Sequence, residues 1–191
     1  MLNSFNEFDT ELLIFLNNLG SEAWDPLWIQ ITNKFTFFPL FLIIIYFFFK
    51  EFGVKRLIII LIFISFIILF TDQFTNIVKN TFKRLRPCGE LDLQLSLRNI
   101  DIYCGRYGFF SAHASNSIAV SIFIITLIKS KAKKWIKPIL ISWVVIFSYS
   151  RIYLGVHYPM DTIFGLLFGF FSGSLFVYIF NRFRFQIGFS H

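Results

Sequence analysis

Apolar residues run along this chain in five blocks, about residues 35–49, 57–74, 118–128, 136–147 and 163–180, with polar residues collected between them. Blocks this long, lacking the alternation of a half-buried strand, read as helices, and a bilayer core takes about 20 apolar residues. Several blocks are shorter than that, so their polar flanks must lie at headgroup level or face the bundle interior. Ahead of them, residues 5–19 place Phe5, Phe8, Leu12, Leu13, Phe15 and Leu16 near one helical face. That stretch is too short and too acidic to span, which predicts a helix lying in the interface.

The expected fold is an all-α integral membrane protein, a bundle of about five to six transmembrane helices with an N-terminal interfacial helix. Residues 1–25 form that helix, 26–181 the transmembrane domain, 84–110 an outer loop, and 182–191 a cytoplasmic tail. Composition agrees: 56% of the 191 residues are hydrophobic and 15% charged, against about 25% charged in a soluble domain. Mean hydropathy is +0.67. Five spans consume nearly the whole chain, so any chemistry must sit on the bundle itself.

A net charge of +7 raises nucleic acid as a partner, but Lys and Arg are scattered between apolar blocks and form no continuous basic face. Topology explains them better. Lys50, Lys55 and Arg56, then Lys129, Lys131, Lys133, Lys134 and Lys137, then Arg182 and Arg184 all fall on one side of a five-span chain, and excess positive charge marks the cytoplasmic side. The other side receives the N-terminus, residues 75–113, residues 151–161 and every acidic residue except Glu51. The N-terminus lacks the basic start and cleavage site of a signal peptide and is expected to be retained. The chain is thus expected in the cytoplasmic (inner) membrane, multi-pass. Cys88 and Cys104 both fall in the outer segment, where an oxidising compartment permits a bridge; two unpaired thiols are the alternative.

Seven polar residues gather at the outer ends of apolar helices: Lys79, Arg86, Ser111, His113, Arg151, His157 and Asp161. Ionisable groups at membrane level are costly, so their collection at one level marks a site. Lys79 and Arg86, two helical turns apart, would share a face, with Pro87 ending the helix; snorkelling to headgroups is the bland alternative. Ser111 reads as an N-cap whose neighbouring N–H groups can also hold an anion, and His113 adds a proton donor. Asp161, one turn after His157, can fix the imidazole tautomer and leave the other nitrogen free to attack. Taken singly, Arg151, His157 and Asp161 also have structural readings as a snorkelling chain, a capped ring and a dipole partner. Two histidines and an aspartate could ligate zinc or iron, but Lys79, Arg86 and Arg151 would add three positive charges beside the cation. The same cations suit a phosphate.

These residues carry a resemblance to the type 2 phosphatidic acid phosphatase (PAP2) superfamily, which includes bacterial membrane lipid phosphatases and the vanadium haloperoxidases. Its first motif, K-x6-RP, matches Lys79, Arg86 and Pro87; its third, SR-x5-H-x3-D, matches Ser150, Arg151, His157 and Asp161. The second, usually PSGH, stands as Phe110, Ser111, Ala112 and His113, with proline and glycine replaced. The resemblance covers roughly residues 26–180. It implies that His157 forms a phosphohistidine oriented by Asp161, that His113 protonates the leaving oxygen and then activates water, and that Lys79, Arg86, Ser111, Ala112 and Arg151 hold phosphoryl oxygens. No metal and no cofactor are implied.

The expected function is therefore hydrolysis of a lipid phosphomonoester or diphosphate at the outer face, the site facing the periplasm or cell exterior. A site at membrane level suits a headgroup whose chains stay in the bilayer. Undecaprenyl diphosphate is the leading expectation, with phosphatidate, phosphatidylglycerophosphate and lipid A as alternatives; residues 88–110, including Arg98 and Arg106, would shape headgroup preference. A non-catalytic lipid-binding protein or a transporter is the reading from another class. The partners expected are the lipid phosphate and the bilayer, with no nucleic acid and no obligatory protein partner.

Overall fold

The computed structural model describes residues 2–128, 131 and 133–186. Its main elements are helices: α1 (Leu2–Asn18), α2 (Asp25–Thr32), a 3-10 turn at Lys34–Phe37, α3 (Phe38–Phe82), two further 3-10 turns at Pro87–Gly89 and Leu91–Leu93, α4 (Ala112–Leu127), α5 (Lys133–Tyr153) and α6 (Pro159–Gln186). Lys129 lies outside the described residues, as do 187–191 of the expected tail; α6 itself runs past Arg182 to Gln186. Three segments, Lys34–Phe82, Lys133–Tyr153 and Pro159–Phe183, are long and apolar enough to cross a membrane, and Ala112–Leu127 is a shorter apolar helix.

Helix α3 has 45 residues, which if straight would reach about 67 Å, twice the hydrocarbon thickness. It does not run straight. Gly53 takes φ 73° and ψ 170°, outside helical space and open only to a residue without Cβ. Ring partners give the direction of each half. Going forward along the first half, Phe37 meets Phe147 and Trp143, then Phe41 meets Trp143, so it descends α5. The second half meets Phe123 and Phe180 through Phe63, then Phe168 through Phe74, so it returns along α4 and α6. With this reversal the bundle makes five passes. The expected loop carrying Lys50, Lys55 and Arg56 is absent, because a single glycine turns the chain and leaves these residues in the flanking helical turns.

The tightest helix contact is between α4 and α6. A Cβ at Gly165, Gly169 or Gly173 would stand 2.5, 2.2 or 2.7 Å from the carbonyl oxygens of Ser111, Ser115 and Ala119 respectively. Small residues every four positions on both helices let the backbones touch, as suits helices without a hydrophobic drive between them in lipid. Polar residues of α4 are paired across the bundle: Asn116 with Thr71, and Ser115 with Thr75 at 3.4 Å. That pairing explains why α4 starts at Ala112, well before the apolar block at 118.

Helix α1 packs on α5 and α6 with Asp9, Leu13 and Asn17 buried. Phe8 and Phe15, on the apolar side expected to lie in the interface, are 54% and 61% exposed. The buried polar pair finds partners in the fold, described below, and the phenyl rings are left to face outward.

Candidate functional site

Helix α3 ends at Phe82, capped by Lys83 in the left-handed region at φ 52°. Arg86 is therefore extended (φ −80°, ψ 150°), not on a second turn of the helix with Lys79. The chain leaves the helix earlier than Pro87 demands, and residues 84–86 pair with the returning arm of the loop. Arg86 N–H donates to Arg106 O at 3.2 Å and Gly108 N–H to Arg84 O at 2.9 Å. Side chains two apart on an extended strand share a face, so Arg84 and Arg86 both turn inward while Leu85 is exposed. A Cys88–Cys104 disulfide closes the same loop.

The loop is pinned from three helices. Arg98 Nη2 holds both oxygens of Asp25, at 2.5 and 2.6 Å, and its backbone N–H donates to Asn17 Oδ1 at 2.8 Å. Tyr153 O–H donates to Asp25 Oδ1 at 2.8 Å, with Trp28 stacked on its ring. Arg98 Nη2 and its backbone N–H thus hold the loop to α1 and α2. Arg106 lies beside the Tyr107 ring on the exposed side.

Ser111 caps α4, its Oγ accepting the Ala114 N–H at 3.4 Å, and its own N–H donates to Asp161 O at 2.9 Å. The start of α4 is thereby tied to the first turn of α6. Ala112 is the first helical residue and has no positive φ. The replacement of glycine there demands nothing of the backbone, and the first-turn N–H groups ahead of the capped Ala114 lie at the helix end where an anion can be held. Phe110 is buried against Phe168, filling with a ring the space behind the motif. His113, next on α4, stacks on Phe147 of α5 with ring centroids 4.9 Å apart.

His157 follows α5, whose terminal Arg151 carbonyl accepts the N–H groups of Val156 and His157 at 3.0 and 3.2 Å. Gly155, at φ 65°, makes that turn. The imidazole is 1% exposed and its Nδ1 lies 3.3 Å from Asp161 Oδ2, which also accepts the Tyr158 N–H at 3.2 Å. With Nδ1 held by the carboxylate, Nε2 is the nitrogen left for chemistry. Burial and the cations Arg86, Arg151, Lys79 and Arg84 together outweigh Asp161 and hold this imidazole well below its ordinary pKa. The backbone of Gly108 closes over the pair: a Cβ there would meet Asp161 Oδ2 at 2.9 Å and His157 Nδ1 at 3.6 Å.

Around the two histidines stand the cations. His113 is within electrostatic reach of Arg151, His157, Lys79 and Arg86, which brings residues from α3, α4, α5 and both loops to one place. Arg151 is buried, donates Nη1 to Thr32 Oγ1, and its Nε has no partner among the described residues. Arg86 Nε donates to Tyr107 O at 3.0 Å. A buried guanidinium with an unused N–H, beside a helix N-terminus, is an oxyanion site in waiting. Among the described residues no three His, Cys, Asp or Glu side chains gather as a metal would need.

Three residues of this neighbourhood escape motif reading. Arg84 donates to Asp161 Oδ1 at 2.8 Å and to Asp9 Oδ2 at 2.7 Å, and its guanidinium lies 3.9 Å over the Tyr158 ring. Thr32 of α2 receives Arg151. Asp9 shares its helix face with Leu13 and Asn17 and belongs to no motif.

The PAP2 superfamily pattern matches residues 61–185. A lipid A 4′-phosphatase of Bacteroides thetaiotaomicron is 34% identical over 95% of this chain and 81% of its own length. Another, from Porphyromonas gingivalis, is 28% identical over 93% of this chain and 76% of its own. Among solved structures, the phosphatidylglycerolphosphate phosphatase of Bacillus subtilis superposes with a TM-score of 0.73 at 20% identity, covering 94% of this chain and 88% of that one. LpxE of Aquifex aeolicus gives 0.64 at 23% identity, covering 87% and 93%. With the superfamily pattern over most of the chain and a relative this similar across nearly all of it, the chain belongs to the PAP2 superfamily, as a membrane lipid phosphatase.

Proposed function

We propose that this protein removes the 4′-phosphate of a lipid A-type glycolipid at the outer face of the cytoplasmic membrane. The observation that carries the reading is a buried His157–Asp161 pair set among Lys79, Arg86 and Arg151. In the proposed reaction His157 Nε2 attacks phosphorus and the P–O bond to the sugar breaks, its electron pair leaving with the sugar oxygen. His113 donates the proton that oxygen needs. Water then attacks the phosphohistidine, His113 takes its proton, and the N–P bond breaks to release inorganic phosphate and restore His157. Lys79, Arg86, Arg151, Ser111 and the N–H groups from Ala112 onward neutralise the oxygens as charge develops.

The relatives support the choice of lipid. Both curated relatives named above are lipid A 4′-phosphatases and match along most of their length, whereas neither is named for undecaprenyl diphosphate, the leading expectation from sequence. Orientation is supported by charge: Lys50, Lys55, Arg56, Lys131, Lys133, Lys134, Lys137 and Arg182 all fall at the bundle end opposite His157, the arrangement expected when that end is cytoplasmic. The test is phosphate release by the detergent-purified protein from 4′-phosphorylated lipid A, undecaprenyl diphosphate, phosphatidate and phosphatidylglycerophosphate side by side. Highest kcat/KM on lipid A is expected; a higher value on undecaprenyl diphosphate would overturn the choice of substrate.

A further inference from the structure

Asp161 has two oxygens, and the family motif accounts for one. Oδ2 faces His157; Oδ1 is taken by Arg84 Nη1 at 2.8 Å. The other arm of that guanidinium reaches Asp9 Oδ2 at 2.7 Å, and Asp9 Oδ1 accepts the Met160 N–H at 2.9 Å, one residue before Asp161. Both carboxylates are fully buried. Two buried carboxylates need a shared cation, and a planar fork can serve both at once with fixed geometry where an ammonium cannot. The plane is fixed further by the Tyr158 ring 3.9 Å below it.

The consequence for the reacting groups is geometric. Held only by the Tyr158 N–H and the imidazole, the Asp161 carboxylate could turn about its terminal torsion, which has broad minima. Arg84 on Oδ1 fixes that torsion and so fixes where Nδ1 of His157 is held. Asp9 in turn fixes Arg84, and Asp9 belongs to α1, a helix that supplies no group to the phosphate site.

We propose that Arg84, seated by Asp9, is a positioning residue for the Asp161–His157 pair, which makes the N-terminal helix part of the catalytic apparatus. The inference rests on the reading of His157 as nucleophile given above.

The charged and titratable groups facing His157 are Lys79 from α3, Arg84 and Arg86 from the loop, His113 from α4, Arg151 from α5 and Asp161 from α6, with Asp9 of α1 behind Arg84. Arg84 is one of the cations that disfavour the imidazolium. Removing its charge therefore moves the acid limb of kcat/KM to higher pH, and keeping the charge while losing the fork does not.

The experiment measures kcat, KM and the pH profile of wild type, His157→Ala, Arg84→Gln, Arg84→Lys and Asp9→Asn, on whichever of the four lipids wild type hydrolyses, normalised to protein eluting as the folded detergent complex. Arg84→Gln is expected to lose about 10²-fold in kcat, the cost of a misplacement near 1 Å, with KM unchanged and the acid limb shifted upward. Arg84→Lys loses kcat with the limb unshifted, and Asp9→Asn loses less. Wild-type kcat and limb in folded Arg84→Gln, while His157→Ala is silent, would overturn this inference and leave the nucleophile standing. If Arg84→Gln does not fold, wild-type kcat in Asp9→Asn overturns it equally. Full activity of His157→Ala would instead overturn the underlying function.

Discussion

Gly165 of α6 lies so close beneath Ser111 that a Cβ would come within 2.5 Å of the serine carbonyl oxygen. The same serine donates its N–H to Asp161 O. One contact therefore sets the height of α4, which carries His113, against α6, which carries Asp161. Gly165→Ala should cost about 1–3 kcal/mol through overpacking of a contact that cannot yield. A lowered Tm in detergent together with reduced kcat is the expected result; an unchanged Tm would mean that the helices are free to separate.

Among the described residues no carboxylate partners His113, whose ring stacks on Phe147. A general acid contributes about 10²–10⁴-fold, so His113→Asn should lower kcat by that order on a lipid with a sugar leaving group. The loss should shrink on a nitrophenyl phosphate, whose leaving oxygen needs no proton. Equal losses on the two substrates would assign His113 to binding instead.

The Cys88–Cys104 bridge closes a sequence separation of 16 within the loop that carries Arg86 and Gly108. Cross-linking a loop of that size stabilises by about 3 kcal/mol through the unfolded chain. Cys88→Ser/Cys104→Ser should lower Tm and slow turnover, since both loop arms border the His157–Asp161 pair. Reduction that leaves Tm and kcat unchanged would contradict this.

Activity at low pH follows from the surroundings of His157. In the proposed reaction the attacking nitrogen must be unprotonated, and burial among four cations holds the imidazole well below its ordinary value of 6.5. Protonation then begins only at more acidic pH, so the acid limb of kcat/KM should fall below pH 6.5. A limb with its midpoint at or above 6.5 would show that Asp161 outweighs the cations.

The residues proposed to carry the chemistry were legible because chemistry requires their types at spacings that helix ends preserve: Lys79, Arg86, Ser111, His113, Arg151, His157 and Asp161 are all brought to one end of the bundle. What supports them was not. Asp9 and Arg84 stand 75 residues apart, Thr32 and Arg151 are 119 apart, and such pairings depend on how α1 and α2 pack, which no local pattern encodes. The face of α1 that packs on the bundle was not legible for the same reason: burial of Asp9 and Asn17 is decided by partners supplied from elsewhere. The turn at Gly53 was read as a charged loop, since hydropathy registers Lys50, Lys55 and Arg56 and is blind to one backbone angle.

The most direct test of the account is to mix the purified protein with 32P-labelled lipid in EDTA and quench at millisecond times in strong base. Retention of label at His157, stable to base, released by acid and absent in His157→Ala, is the predicted result. Turnover that proceeds with no labelled protein at any time, or that stops on chelation, would contradict a metal-free phosphohistidine route.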